Sequence, residues 1–333
     1  MTKFFFILFF SFLFFSCNHN RFSVDLSNVN LPIRFINLDS VVVHSDSNAF
    51  YTFCNSPIID KGIISYLTKS CLQIGDVNND DVYKRISIFR NDTYISSLEK
   101  EIRLAYTTKI NSKSDHIING FKRAHFFLPQ LKLPTQVYYM NSLFANYTFV
   151  HDNSISIGLE WYLGSNNPVI QQLPSNDFHL WMKKGMNPDF FERDLFFSWL
   201  LAQYPCNSTV LVEQMIHYGK LLYVSEICFT NLPAHLILRY PKSKFNWAIS
   251  HENMIWKYLV DQQLLFSSNE REITGLLKEG PFSLGLPEAG PDRLGQFIGW
   301  KMVHSFMENE SDFTLNALMK TNYNQILQSY QID

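Results

Sequence analysis

The sequence predicts an α+β fold that is predominantly α-helical, with short strands in the N-terminal half and helices in the C-terminal half. Apolar residues recur at helical spacing over long segments of the C-terminal half, whereas the alternating and β-branched segments are short and precede residue 160. Apolar residues make up 46% of the chain and charged residues 17%, which excludes intrinsic disorder and supports a sizeable core. We expect a single domain over residues 29–330.

Three segments have the pattern of strands. Residues 29–43 are β-branched and alternate in places, so one or two strands are expected there, and residues 135–139 and 154–159 are the other two segments. The Asn- and Asp-rich residues 76–81 predict a loop. Helices are expected at residues 61–72, 95–110, 117–127, 191–203, 208–223, 243–266, 292–308 and 314–328.

Two glycines lie on one face of the expected helix at residues 292–308. Gly295 and Gly299 are four positions apart, and each costs the helix roughly 1 kcal/mol of propensity. We therefore expect another element to pack closely against this face. The polar residues Gln296 and Lys301 interrupt the apolar run, which argues against a transmembrane pairing motif.

The N-terminus has the pattern of a lipoprotein signal. Residues 4–15 are apolar except for Ser11, and about twelve residues span about 18 Å as a helix, too little for the roughly 30 Å hydrocarbon core of a bilayer. Ser16 and Cys17, at the end of this run, resemble the lipobox of bacterial lipoproteins. We therefore expect residues 1–16 to be a signal peptide and residues 17–28 to be the lipidated cysteine and a tether. An ordinary secretory peptide that contains a cysteine is the alternative.

Cleavage before Cys17 would leave it as the first residue, carrying a covalent diacylglycerol and an acyl chain such as palmitate. The lipid bilayer is therefore an expected partner, through this anchor. Asn18 follows the cysteine where an Asp would favour the inner membrane, and no acidic run comes after it. We therefore expect an outer-membrane protein that faces the periplasm.

Charge and cysteine content narrow the class of protein further. The chain has 28 Lys and Arg against 30 Asp and Glu and no basic block, so nucleic acid is not an expected partner. Cleavage of the signal would leave an even number of cysteines, which permits disulfides outside the cytoplasm. We expect these side chains to be mostly buried apolar groups, and they are Cys54, Cys71, Cys206 and Cys228.

The common catalytic motifs are missing from the sequence. A zinc hydrolase of the usual kind needs two His four positions apart on a helix, and the closest pair here, His116 and His125, is nine apart. The segment from Gly280 to Ser283 has one residue too many for a nucleophile elbow. No Walker A loop, GxGxxG or CxxC occurs. We therefore predict no catalytic residue, no metal ligand and no cofactor other than the lipid.

Polar residues in apolar surroundings are the candidate site. His251 and Glu252 lie inside the expected helix at residues 243–266, and a buried carboxylate is costly unless it is paired. Arg293 is the candidate partner of Glu252. The pair is either a structural ion pair that orients two helices or part of a binding or residual catalytic pocket. Glu160 either lines the same cleft or faces water, and water is slightly favoured.

These segments together resemble the GldB family of gliding-motility lipoproteins of Bacteroidetes. The resemblance covers nearly the whole chain, and it depends on the shared order and spacing of the segments. They are the lipobox at Cys17, residues 31–35, 126–129, Pro134 with 137–138, 157–164, 186–188, 215–223, Trp247, Glu252 with 255–256, 291–295, 299–300 and 326–330.

The resemblance implies a fold related to zincin-type metallopeptidases whose zinc helix has lost its ligands. Residues 191–203 would take the place of that helix, and they contain no His. Family members often carry Glu where this chain has Tyr218, at the position of a third zinc ligand, so hydrolysis is not expected. The resemblance further implies a role in gliding and a link to type IX secretion, through contacts with other motility or secretion proteins.

The resulting hypothesis is a non-catalytic outer-membrane scaffold or binding component of the gliding machinery. Its expected functional surface is a cleft formed by Glu160, Tyr218, His251, Glu252 and Arg293. The alternative is an envelope metallopeptidase with an atypical metal site. A weaker hypothesis is a nutrient-binding lipoprotein whose aromatic side chains stack on sugars.

Overall fold

A computed structural model describes residues 21–79, 81–310 and 312–331. The predicted signal peptide, Cys17 and residues 18–20 lie outside the described residues. The expected α+β class is confirmed, because a small sheet occupies the first half of the chain and most other elements are helices.

The sheet has four strands in the order β1-β2-β4-β3. β1, β2 and β4 are parallel, and β3 is an antiparallel edge strand on β4. Every residue of β2 and β4 is buried, because helices cover both faces of the sheet. The strands expected at 135–139 and 154–159 are confirmed, whereas β3 was not predicted. The bounds are β1 Arg34–Asn37, β2 Gln136–Met140, β3 Thr148–His151 and β4 Ser154–Gly158.

The prediction of strands over residues 29–43 is correct only for Arg34–Asn37 and wrong for the residues on either side. The strand ends at Asn37, whose side-chain oxygen accepts a hydrogen bond of 2.9 Å from the backbone N–H of Ser40. This N-cap starts helix α1, Leu38–His44, which buries Leu38 and Val42. The cap and this burial outweigh the strand preference of the valines that follow.

The helices lie mainly in the C-terminal half. In the first half they are α2 Ser47–Asn55, α3 Lys61–Ser65 with a π-helical continuation at Tyr66–Cys71, α4 Val82–Asn91, α5 Thr93–Tyr106 and α6 Ile110–Phe127. In the second half they are α7 Pro168–Gln172, α8 Leu180–Gly185, α9 Phe191–Gln203, α10 Leu211–Cys228, α11 Ala234–Ile237, α12 Lys242–Ser250, α13 Glu252–Asp261, α14 Glu270–Leu277, α15 Leu294–Asn309, α16 Leu315–Lys320 and α17 Tyr323–Ser329. Within the described ranges, none of them has the length and apolar character needed to cross a bilayer.

The expected helix at residues 243–266 is two helices, α12 and α13. The break is at His251, whose ring Nδ1 lies 2.8 Å from the carbonyl oxygen of Trp247. In a continuous helix, the carbonyl of Trp247 would accept a hydrogen bond from the backbone N–H of His251. Here the side chain of His251 lies at that carbonyl instead. The backbone N–H of His251 bonds to Ala248 instead, at 3.3 Å.

Strand β2 contributes to two hydrophobic clusters, one on each face of the sheet. Tyr138 and Met140 pack with α1 to α4 on one face, whereas Val137 and Tyr139 pack into the larger cluster that the C-terminal helices form. The alternation follows from the two-residue period of a strand. The sheet therefore joins an N-terminal helical layer to the C-terminal helices.

Helices α10 and α15 touch backbone to backbone. A Cβ built on Gly299 would lie 1.8 Å from the carbonyl oxygen of Met215, and one on Gly219 would lie 2.2 Å from the carbonyl oxygen of Gly299. Gly295 packs against Leu276 and Leu277 of α14. The close packing expected for this glycine face is confirmed.

The cysteines Cys54, Cys71, Cys206 and Cys228 are all free thiols. Cys206 is exposed, whereas the other three are buried as expected. Burial raises the pKa of the Cys54 and Cys228 thiols to about 12, so both are neutral at ordinary pH.

Candidate functional site

An open cavity of about 600 Å³ lies between α8, the loop that joins α11 to α12, and the segments before and after Pro281 and Pro291. We call it the Arg239–Arg293 cavity. Its size is within the range of ligand-binding pockets. Its principal lining residues are Tyr147, Trp161, Leu180, Trp181, Lys184, Phe190, Arg239, Lys244, Glu279, Asp292 and Arg293.

Beneath the cavity, the fully buried carboxylate of Asp194 holds two arginines. Asp194, in the first turn of α9, accepts from Arg193 Nη1 at 3.1 Å and from Arg239 Nε at 2.9 Å. The hydroxyl of Tyr162 donates a third hydrogen bond at 3.0 Å. Such a pair is costly to bury, and removing one partner from it leaves an uncompensated charge. Asp194 therefore fixes Arg239 in the cavity wall.

The remaining donors of Arg239 are also engaged. Nη1 lies 3.1 Å from Oε1 of Glu279, and Nη2 donates to the carbonyl of Gly185 at 3.1 Å. The guanidinium carbon lies 5.4 Å from the ring centre of Tyr147 and 5.1 Å from that of Phe190. Burial opposes the charge, but the nearby carboxylates outweigh burial and hold the pKa of Arg239 above its usual value.

Glu279 is the acid at the mouth of the cavity. Its side chain is 34% exposed, and Oε1 lies 3.8 Å from Arg293 Nη1 as well as close to Arg239. Burial alone would raise the pKa of this carboxyl, but the guanidinium groups of Arg239 and Arg293 hold it below its usual value. Glu279 is thus an anion at neutral pH, bound by two arginines.

Both cavity arginines have left-handed backbone conformations. The φ angle is 58° at Arg239 and 52° at Arg293, in a region that is unfavourable for residues other than glycine. The carbonyl of Arg239 accepts from Arg293 Nη2 at 3.1 Å, which couples the two residues directly. Backbone in this region is held only where the surrounding structure fixes it, so both arginines have fixed positions in the cavity wall.

The cavity wall also contains N–H donors that have no acceptor. Arg293 Nε and Trp161 Nε1 are buried, and neither has a hydrogen-bond partner among the described residues. Buried donors in native structures are nearly always paired, so unpaired ones need an explanation. Arg293 and Trp161 both line the cavity, so a ligand that brings hydrogen-bond acceptors would suit this wall.

The expectation that Glu160 faces water is wrong, because this side chain is fully buried. The β4 strand ends just before it, and its Oε1 accepts from the backbone N–H groups of Ser142 at 2.9 Å and Phe144 at 3.0 Å. Burial raises the pKa of Glu160 to about 7, while these hydrogen bonds oppose the increase. Its neighbour Trp161 lines the cavity in its place.

The expected ion pair between Glu252 and Arg293 is not formed. Glu252, at the start of α13, lies 3.2 Å from Lys301 Nζ and accepts from the hydroxyl of Tyr330 at 2.9 Å. Lys301 is eight residues after Arg293, or about 12 Å along α15, so α13 meets α15 two turns beyond the arginine. Arg293 pairs with Asp292 at 3.1 Å instead.

The structure does not bring the five sequence-predicted cleft residues together. Of these five, Arg293 lines the Arg239–Arg293 cavity. His251 stacks on the indole of Trp247 at 4.2 Å between ring centres, outside the cavity lining. Tyr218 lies 6.5 Å from Phe197 of α9, ring to ring, and accepts from Lys278 Nζ at 3.3 Å. Tyr218 is outside the cavity lining, and its partner Lys278 directly precedes the lining residue Glu279.

Sequence reasoning missed Arg239 and Glu279, which lie in loops and belong to no known motif. One signal was available, because three of the charged cavity residues are two positions from a proline. A proline does not fit inside a helix, so the residues beside it tend to lie in loops. Because proline restricts the backbone, polar side chains in these loops have fixed positions. The pairs are Arg239 with Pro241, Glu279 with Pro281, and Arg293 with Pro291.

No group of three His, Cys, Asp or Glu side chains in residues 21–79, 81–310 and 312–331 is arranged to hold a metal ion. The first turn of α9 has two acids, Glu192 and Asp194. Glu192 lies 3.2 Å from Lys113 Nζ, and Asp194 is bound to arginines, so both carboxylates are paired with cations.

Comparison with known proteins identifies one family. The sequence model of the family described as "Gliding motility protein GldB" matches residues 19–331, which is nearly the whole chain. No curated protein and no solved structure matches significantly.

Proposed function

Because this chain belongs to the GldB family of gliding motility proteins, we propose that it is a lipid-anchored, non-catalytic binding component of the gliding machinery. Its binding surface is the Arg239–Arg293 cavity, and its partners are other motility or secretion proteins. The proposal includes the outer membrane as its location, with the domain in the periplasm, and a link to type IX secretion.

The observation that carries the proposal is the pre-organised cavity. Buried Asp194 fixes Arg239, and the left-handed backbone of Arg239 and Arg293 is maintained by the surrounding structure. The hydroxyl of Tyr240 donates to the carbonyl of Asp292 at 2.6 Å, which ties the two loops together. Holding polar groups in fixed positions before a partner arrives reduces the entropy lost on binding.

The proposal also retains a distant relationship to zincin-type peptidases. It is supported by the contact between Phe197, which lies in the helix that the resemblance puts in place of the zinc helix, and Tyr218, at the position of the third ligand. Aromatic side chains at both positions favour a binding role, because they supply no metal ligand of the usual kind.

The lipid anchor is the other part of the proposal. Cys17 would carry a diacylglycerol and an acyl chain, and three residues separate it from Arg21. Arg21 and Phe22 are packed on the domain, where Arg21 Nη1 donates to the carbonyl of Glu310 at 2.6 Å and Phe22 is buried. An anchor at Cys17 would therefore keep the domain close to the bilayer surface.

The cavity's role in gliding can be tested at its rim without disturbing the core. Leu180 lines the cavity and is 66% exposed, and Leu104, on α5 and outside the cavity lining, is 67% exposed. A gliding bacterium that lacks its own family member is complemented with Leu180→Glu or with the matched control Leu104→Glu. We expect the first variant to reduce gliding at least tenfold, because a carboxylate at the rim alters the apolar wall. The control should glide like the wild type.

Both variants must reach the same level in the membrane fraction, measured by immunoblot. Normal gliding with Leu180→Glu at that level would show that the cavity is not the functional surface.

A further inference from the structure

The cations of the Arg239–Arg293 cavity are not fully neutralised by its acids. Four cations line the cavity, Lys184, Arg239, Lys244 and Arg293, against two acids, Glu279 and Asp292. Lys244 Nζ is engaged by three backbone carbonyls of the loop before Pro291, but Lys184 is exposed and has no ion pair among the described residues. The cavity therefore presents an excess of positive charge to a ligand.

Glu279 shows which kind of anion the arginines hold. Its carboxylate is at the end of a flexible side chain, 3.1 Å from Arg239 Nη1 and 3.8 Å from Arg293 Nη1. Arg293 Nη1 forms no hydrogen bond within the described residues, so it can donate to a second carboxylate oxygen. A carboxylate from another chain could share these donors or displace Glu279.

The other side chains of the cavity wall indicate which groups a ligand should carry beside its carboxylate. Trp161, Trp181 and the exposed side chain of Leu180 form an apolar surface beside the arginines. The buried Nε1–H of Trp161 has no acceptor in the described part of the chain, and a peptide carbonyl is a suitable acceptor. The arginines already hold the planar carboxylate of Glu279, so a second carboxylate has the geometry that these donors fit.

We propose that the Arg239–Arg293 cavity binds a peptide segment of a partner protein that presents a carboxylate beside an aliphatic or aromatic side chain. This inference rests on the proposed function, because it names the ligand class of the same cavity. The carboxylate belongs either to an acidic side chain or to the C-terminus of the partner chain, and both supply the same chemistry.

Isothermal titration calorimetry on the full chain, purified in a neutral detergent, tests the ligand class. The probes are acetyl-Leu-Glu-Leu-amide, its Gln counterpart, acetyl-Leu-Ala-Leu with a free C-terminal carboxylate, and the Glu peptide with phosphoserine in place of Glu. We expect at least one of the two carboxylate peptides to bind at least ten times more tightly than the Gln peptide. The tighter of the two shows whether the partner's carboxylate comes from an acidic side chain or from the C-terminus. Equal binding of all peptides, no binding, or tightest binding of the phosphopeptide would overturn the proposal.

Charge variants locate the binding to this cavity. Lys184→Glu reverses the charge of the unpaired cation at the rim and should weaken the binding of the carboxylate peptide at least fivefold. Lys84→Glu, at an exposed position on α4, should leave the binding of that peptide unchanged. Glu279→Gln removes the internal carboxylate and should tighten binding severalfold. No tightening, or equal effects of both lysine variants, would contradict a shared set of arginine donors.

Gliding of the same variants separates this inference from the proposed function. If Lys184→Glu loses peptide binding but glides normally, the proposed function fails while the ligand class stands. If no peptide discrimination is found but Leu180→Glu still abolishes gliding, the ligand class fails while the proposed function stands.

Discussion

Asp194 is the residue on which the cavity depends most. It is fully buried, and two guanidinium groups and one hydroxyl converge on its carboxylate. Without that charge, Arg193 and Arg239 would be buried cations with Glu279 as the remaining nearby acid. The fixed geometry of the cavity wall is therefore a consequence of one carboxylate at the start of α9.

Asp194→Asn should lower the free energy of unfolding by about 3–5 kcal/mol, the usual cost of leaving a buried charge without its partner. The matched control is Asp189→Asn, an exposed position five residues earlier, which should change stability by less than about 0.5 kcal/mol. Urea unfolding followed by circular dichroism at neutral pH measures both. Equal small effects would mean that the arginines do not need Asp194.

Among the residues of the cavity, the sequence predicted Arg293, as the partner that a buried Glu252 would need. The partner was assigned wrongly, since the sequence does not show that α13 crosses α15 two turns further on, at Lys301. Arg239 and Glu279 are 40 positions apart in loops, and their contact depends on tertiary structure alone.

Helices α10 and α15 form the closest contact between elements. Their backbones approach at Gly299 and Gly219, because neither residue has a Cβ to separate them. Arg293 immediately precedes α15, so the position of this helix also places the arginine in the cavity wall. The position of Arg293 in the cavity wall therefore depends on the glycine contact between α10 and α15.

Gly299→Ala should destabilise the protein by about 3 kcal/mol, because the added methyl would overlap the carbonyl oxygen of Met215 and force two helices apart. Gly280→Ala is the matched control, since the nearest atom to a Cβ there is 3.6 Å away, and it should cost less than about 1 kcal/mol. Urea midpoints of the two variants give the comparison. Similar midpoints would indicate that α10 and α15 can separate at little cost.

The elements that the sequence predicted well are those with a strong apolar pattern. Helix α9 has the expected bounds, Phe191–Gln203, because it is apolar on most sides and buried along its length. The break at His251 and the helix after Asn37 were missed, because each depends on one side-chain hydrogen bond to the backbone. Such local contacts leave no periodic signal.

The whole molecule combines an N-terminal sheet with helices on both faces, a C-terminal set of helices, and a short link to the predicted anchor. Extended chain covers about 3.5 Å per residue, so Cys17 can be no more than about 14 Å from Arg21, Cα to Cα. Arg21 contacts Tyr223 of α10 and Met307 of α15. A lipid on Cys17 would thus place this end of the two helices beside the membrane.

The central claim is that the protein acts by binding a partner in the Arg239–Arg293 cavity. Photo-crosslinking in gliding cells tests it most directly, with p-benzoylphenylalanine introduced at Leu180 or at the control position Leu104. We predict a discrete crosslinked protein from position 180 that is lost when Lys184→Glu is added, and no such product from position 104. The same products from both positions, or none from position 180 in cells that glide, would contradict the claim.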